Sequence, residues 1–160
     1  MRRLRYAISC SAITLGFSLV PGVAMSQAHV PSAADSAAIR ATALDYIEGW
    51  YTGDAERMER ALHPELAKRI IYQPTQAAGR ARLDSQSAMT LVRNTRAGGG
   101  KRTPPDRQQK DVTILDIYEN AASVKVVAGA WIDYLHVARA DGRWQIVNVL
   151  WELKPQPAAP

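Results

Sequence analysis

Cysteine is almost missing from this chain. Cys10 is the only one, and it falls in a stretch that reads as a leader. The remainder can form no disulfide, no thiolate metal site and no cysteine nucleophile. Histidine is scarce too. His63 stands beside Pro64 and reads as a helix-end feature, and no second histidine stands at ligand spacing from it, so no metal is expected. A phosphate loop is also lacking. Gly98-Gly99-Gly100-Lys101 has a suggestive composition, but no apolar strand precedes it and Arg102 stands where a Ser or Thr is needed. No nucleotide or other cofactor is expected. The segment 96–110 holds five cations and one acid, Asp106, yet no aromatic residue on which a base could stack. Nucleic acid is therefore not an expected partner, and the plain reading is a solvated, mobile connection.

Acidic residues are absent from residues 1–28, which makes the net charge of +5 misleading. Arg2, Arg3 and Arg5 form a basic start, Tyr6 to Val20 an apolar run, Pro21-Gly22 a break, and Ser26-Gln27-Ala28 a small-x-small cleavage site. The run is short for a membrane span. The chain reads as exported, periplasmic or secreted, with a mature start near His29 and no stable membrane anchor after cleavage. Removing the three leader arginines from 20 basic groups leaves 17 against 15 acids, a net of +2. That gives no argument for an anionic surface as partner. An apolar fraction of 47% against 22% charged is a globular composition. The organisation expected is a leader at 1–28, a flexible entry at 29–35, one domain at 36–154 and a disordered tail at 155–160.

Within the domain, Asp35 or Ser36 is placed to cap a helix running to about Tyr51, with Ile39, Ala43, Tyr46, Ile47 and Trp50 on one face. Asp54 caps a second helix, Ala55 to Leu62, which His63-Pro64 ends. Lys68–Gln73 reads as a strand, Gly79 to Gln86 as a second, and Ala88 to Thr95 as a short helix capped by Ser85 or Ser87. The C-terminal third is the strongest signal. Asp111–Glu119, Ser123–Arg139 and Arg143–Leu153 are rich in β-branched and aromatic residues, with turn pairs at Glu119-Asn120 and Asp141-Gly142. They read as a three-stranded antiparallel meander. The order of elements implies an α+β architecture, with helices on one face of a curved antiparallel sheet.

Several of these stretches resemble a known family. They are Asp45-Tyr46-Ile47-Glu48-Gly49-Trp50-Tyr51-x-Gly53-Asp54, Ala61-Leu62-His63-Pro64-Glu65-Leu66-Ala67-Lys68-Arg69, Ile114-Leu115-Asp116-Ile117, Asn120 to Val126, Asp133-Tyr134-Leu135-His136 and Gly142-Arg143-Trp144-x-Ile146 to Trp151. Together they are similar to the putative lumazine-binding family of the nuclear transport factor 2-like (SnoaL-like) superfamily, over residues 36–154. The resemblance implies a cystatin-like cone whose concave sheet face and first helix enclose a cavity. It chooses no function, because that superfamily spans isomerases, dehydratases, cyclases and non-catalytic binding domains.

A two-residue Asp141-Gly142 turn pairs Leu135 with Asn148 and Asp133 with Leu150. The face taken as inward then holds Trp131, Asp133, Leu135, Val137, Trp144, Ile146, Asn148 and Leu150. Ile132, Tyr134, Val147, Val149 and Trp151 fall outward, too apolar for open water, and are the expected contact of a homodimer. A bulge would swap the faces. Tyr46, Trp50, Trp131, Trp144 and Leu150 are the expected walls of an apolar pocket, with Asp133 and Asn148 as polar handles. Three uses follow: non-catalytic binding of a small apolar or aromatic ligand, pterin-like by resemblance alone; a cofactor-free isomerase, dehydratase or cyclase with Asp133 as acid or base; or a dimerisation module with a filled cavity.

Overall fold

The computed structural model describes residues 32–72 and 80–155. The expected leader, its cleavage site, the first residues of the entry segment and residues 156–160 lie outside them. Helix α1, Ala33–Thr52, begins earlier than expected. Ser32 is its cap: the Ser32 hydroxyl accepts from the Asp35 N–H at 2.9 Å and donates to Asp35 Oδ2 at 2.8 Å. Residues 33–35 are therefore helical, not a flexible entry. Gly53 closes α1 at φ 71°, a conformation that favours glycine. Asp54 then caps α2, Ala55–Ala61, as expected, by accepting from the Glu56 and Arg57 N–H groups. Arg57 ties the two helices together, reaching Asp45 at 2.8 Å and Glu48 at 2.6 Å.

α2 runs directly into strand β1, Leu62–Tyr72, which is longer than the expected Lys68–Gln73. Pro64 can sit in this strand because the register with its neighbour shifts between Leu62 and Ala67, so no ladder bond is required of it. Strand β2, Arg82–Ser87, leads into α3, Ala88–Arg96, capped by Ser87. The connection after α3 is mostly exposed, as expected, but it is an ordered segment rather than a loose one. Its turns are closed by backbone hydrogen bonds, and Gly100 is buried against Trp50. A Cβ at Gly100 would lie 2.2 Å from the Trp50 carbonyl oxygen.

The meander has four strands rather than three: β3, Lys110–Tyr118; β4, Ala121–Ala128; β5, Trp131–Ala140; and β6, Arg143–Leu153. The run 123–139, expected as one strand, turns back at Gly129-Ala130. Glycine permits this, because a Cβ at position 129 would sit 2.3 Å from the Arg107 carbonyl oxygen, while the Gly129 N–H donates to the Tyr51 hydroxyl at 3.0 Å. The apolar residues on either side mask the turn in the sequence. Asp141 (φ 50°) and Gly142 (φ 75°) form the expected tight hairpin turn between β5 and β6.

The six strands form one sheet in the order β2-β1-β6-β5-β4-β3, parallel only between β1 and β6. The three helices pack on it around a core that includes Ile39, Ile47, Met58, Leu91, Val124, Val126, Leu135, Val137, Ile146 and Val149. This is the expected α+β cone, with the correction that the sheet is mixed rather than wholly antiparallel, because β1 joins β6 in parallel.

One irregularity decides what faces the core. From the Asp141-Gly142 turn the β5–β6 pairing is regular as far as Val137↔Ile146, and then resumes as His136↔Asn148 and Leu135↔Val149. Val147 is the extra residue of a β-bulge in β6. Side chains alternate with a period of two, so the bulge reverses the facing of everything after it. Val149 is fully buried, and Trp151 stands on the inner side opposite Asp133. Asn148 and Leu150 turn outward. The expected inward placement of Asn148 and Leu150, and outward placement of Val149 and Trp151, are corrected by that one inserted residue.

Candidate functional site

The inner face of β1 alternates Leu66, Lys68 and Ile70, all buried. Lys68 is thus a cation at a core position, and its ammonium carries the site. It donates to Asp133 Oδ1 of β5 at 2.8 Å and to the Tyr46 hydroxyl of α1. The second carboxylate oxygen of Asp133 accepts from Trp131 Nε1 at 2.7 Å. Asp133 is fully buried, so both oxygens are satisfied inside the protein, as a buried charge requires. Aromatic faces complete the shell: Lys68 Nζ lies 4.8 Å from the Trp151 ring centre and 5.1 Å from that of Tyr46. Burial above all, then the negative charge of Asp133 and a hydrogen bond to it, hold the Tyr46 hydroxyl well above the ordinary tyrosine range. Tyr46 is thereby kept protonated.

In front of this cluster lies a cavity of about 220 Å³. Tyr46, Trp50, Trp131, Trp151 and Leu153 supply apolar wall, Lys68 a cation, and Gln86 and Asn94 two side-chain amides. Trp131 bridges the aromatic set, 6.0 Å from Tyr51 and 6.5 Å from Trp151 between ring centres, the latter nearly edge-on. Trp50 is fixed from behind by the Gly99-Gly100 turn. The Tyr51 hydroxyl donates to the Gln109 carbonyl at 3.0 Å, tying the end of α1 to the segment before β3.

Of the residues expected at the pocket, Tyr46, Trp50 and Trp131 line the cavity, and Asp133 sits behind Lys68. The others do not join them. Trp144 lies at the far end of the sheet, where its indole Nε1 and Arg139 both donate to Asp35 Oδ1 at 3.1 Å and pin the start of α1. Asn148 is held on the outer face by Arg69 at 3.0 Å, beside His136. Leu150 is exposed on that face. Trp151, expected at a subunit contact, lines the cavity instead. Ile132 and Tyr134 do lie outward, Tyr134 exposed, while Val147 occupies the bulge.

Lys68 was not singled out from the sequence. The signal that could have found it is the alternation of Leu66 and Ile70 around it, which puts a charge on the apolar face of a strand. No cluster of three His, Cys, Asp or Glu side chains able to hold a metal occurs among the described residues.

A family model described as "Putative lumazine-binding" matches residues 34–152. No curated protein matches the chain. Among solved structures, the chain is similar to a nuclear transport factor 2-like protein of unknown function from Shewanella baltica, at 16% identity and TM-score 0.59, covering 80% of this chain and 100% of that one. A nuclear transport factor 2-like protein of unknown function from Methylobacillus flagellatus shares 21% identity at TM-score 0.57, over 78% and 96% of the two chains. A domain of unknown function with a cystatin-like fold from Nostoc punctiforme shares 14% at TM-score 0.51, over 79% and 81%. At these identities the likeness establishes the fold, which is nuclear transport factor 2-like and cystatin-like.

Proposed function

The chain belongs to the putative lumazine-binding family, and from that premise we propose that it binds a small, flat, partly polar molecule in the aromatic cavity without transforming it. One observation carries the reading: a buried ammonium, Lys68, forms part of the wall of a cavity otherwise built from Tyr46, Trp50, Trp131 and Trp151. An ammonium has three donors. Tyr46 and Asp133 take two, which leaves one for a ligand acceptor such as a ring carbonyl. Apolar walls with few polar groups suit recognition of this kind, but about 220 Å³ is below the ~300 Å³ at the low end of drug-sized sites. The occupant is limited to about one or two fused rings. A steroid is too large.

The geometry favours binding over proton transfer. Asp133 is closed off by Lys68 and Trp131 and does not line the cavity, so it is poorly placed to reach a substrate. The test is titration with lumazine, followed by tryptophan fluorescence and calorimetry. Saturable quenching is expected, and Leu153→Trp, which crowds the half-exposed edge of the cavity, is expected to abolish it while the melting temperature holds. Neither quenching nor heat with lumazine or other two-ring heterocycles would sink the binding reading. Turnover lost specifically on Asp133→Asn would instead establish the enzyme reading.

The reading extends to the whole protein in two respects. The leader-like residues 1–28 support export. The exposed apolar residues of the outer sheet face, Ile71, Tyr134 and Leu150 among them, support pairing of two copies through that face.

A further inference from the structure

A second concavity lies between α2, α3 and the start of β6, apart from the aromatic cavity. It is an open slot of about 810 Å³, within the ~300–1,000 Å³ range typical of small-molecule sites. Its floor includes Leu62, Ala88 and Val92. Arg60 of α2 lines the slot but is paired elsewhere, with Asp45. The remaining five charged groups are sorted by element: α2 contributes Glu56 and Glu59, whereas α3 contributes Arg93 and Arg96, with Arg143 from the start of β6. Opposite charges on neighbouring helices ordinarily close on one another. Here no ion pair spans the slot, and none of these five side chains has a hydrogen-bond or ion-pair partner among the described residues. Both cations of α2, Arg57 and Arg60, are engaged by carboxylates of α1, Arg57 by Asp45 and Glu48 and Arg60 by Asp45 at 3.3 Å. Gln145, which also lines the slot, gives its Nε2 to the Leu62 carbonyl at 3.0 Å, and its Oε1 has no hydrogen-bond partner among the described residues and is accessible to solvent.

A basic wall, an acidic wall and an apolar floor are complementary to a molecule with a charge of each sign carried on an apolar body. A simple anion would meet Glu56 and Glu59 unfavourably, and a simple cation would meet the arginines. We propose that this slot is a second ligand site, which takes a short apolar peptide with both termini free. The terminal carboxylate goes to the arginines, whose forked guanidinium matches it. The terminal ammonium goes to Glu56 and Glu59, the apolar side chains cover the floor, and a peptide N–H reaches Gln145 Oε1.

Leucyl-leucine is the probe, in calorimetric titration of the whole protein at low salt. Saturable binding is expected, weakened roughly tenfold or more by either N-acetylation or C-amidation, since each removes charge-assisted hydrogen bonds. The arginine double variant Arg93→Ala/Arg96→Ala should lose its response to C-amidation and keep its response to N-acetylation. Glu56→Gln/Glu59→Gln should behave in the reverse way, as a double-mutant cycle requires. Arg93, Arg96, Glu56 and Glu59 are all exposed, so these variants should fold. Leu153→Trp, which crowds the aromatic cavity, should leave dipeptide binding unchanged and so separates the two sites. Absence of saturable binding, affinity indifferent to both blocking groups, or binding only to phosphatidylethanolamine vesicles would overturn the proposal.

Discussion

The Lys68–Asp133 pair sets the strongest expectation for a single side chain. Both groups are buried and bonded to each other, so removing one strands a charge in the core. Lys68→Met should cost ~3–5 kcal/mol in urea denaturation, and Lys68→Met/Asp133→Leu should recover much of it, because two charges leave together. Asp133→Asn should lower the melting temperature for the same reason. Tyr46 supplies a pH signature. Its folded pKa is raised well above 10.0, so the folded protein holds a proton that the unfolded chain loses near pH 10. The contribution is present below that pH and is lost as pH rises through the folded value. Stability should therefore fall on the alkaline side, and Tyr46→Phe should flatten that fall in denaturation curves taken from pH 8 to pH 11. Lys68 and Asp133 also show where legibility stopped. Asp133 was recognisable as a carboxylate on an apolar face, but its partner lies on another strand, 65 residues away, and a distance of that kind is not written in local pattern.

Two irregular elements shape the site. The bulge at Val147 brings Val149 and Trp151 inward. Deleting Val147 would restore regular alternation and turn both outward. With ~1.5–3 kcal/mol for each large apolar side chain exposed, the loss should exceed about 3 kcal/mol, read as a lower denaturation midpoint. The bulge was illegible because β6 is apolar on both parities, at Ile146, Val147, Val149, Leu150 and Trp151, so pattern cannot say where the register slips. The Gly98-Gly99-Gly100 turn is the other. Its composition suggests mobility, yet Gly100 lies against the Trp50 backbone. Gly100→Ala should destabilise by ~1–3 kcal/mol and loosen Trp50, read as a shift in its fluorescence. The caps were more legible. Asp54 and Ser87 act where they were expected, because capping depends on neighbours in sequence. Ser32, not Asp35, caps the first helix; Asp35 lies inside its first turn and accepts from Arg139 and Trp144, far along the chain.

For the molecule as a whole, the corrected register changes the outer sheet face: Tyr134 stays on it, Leu150 joins it, and Val149 and Trp151 leave it. If two copies pair through the outer sheet face, Tyr134→Arg or Leu150→Arg should lower the association constant in sedimentation without unfolding the subunit. Trp151→Arg should instead damage the aromatic cavity that Trp151 lines. A concentration-independent monomer in the wild type would refute pairing. Export is checked separately, by N-terminal sequencing of cell-derived protein; a start near His29 is expected, and an intact Met1 would refute it.

The sequence by itself determined the α+β class, the caps of the second and third helices, the Asp-Gly hairpin and the aromatic residues of the first helix. All of these follow from local propensity, turn chemistry and periodicity, which act over a few residues. Only the tertiary structure decided which aromatic residues converge. Trp151 entered the cavity while Asn148 and Leu150 left it, because one unpaired residue in β6 reverses the facing of all that follow; Trp144 precedes that residue and is absent because it lies at the far end of the sheet, against Asp35. It also decided that the polar centre is a Lys68–Asp133–Tyr46 cluster rather than a free carboxylate. The parallel β1–β6 pairing and the helix α1 bring those three groups together, and long-range pairing of that kind leaves no mark in any short stretch of the chain.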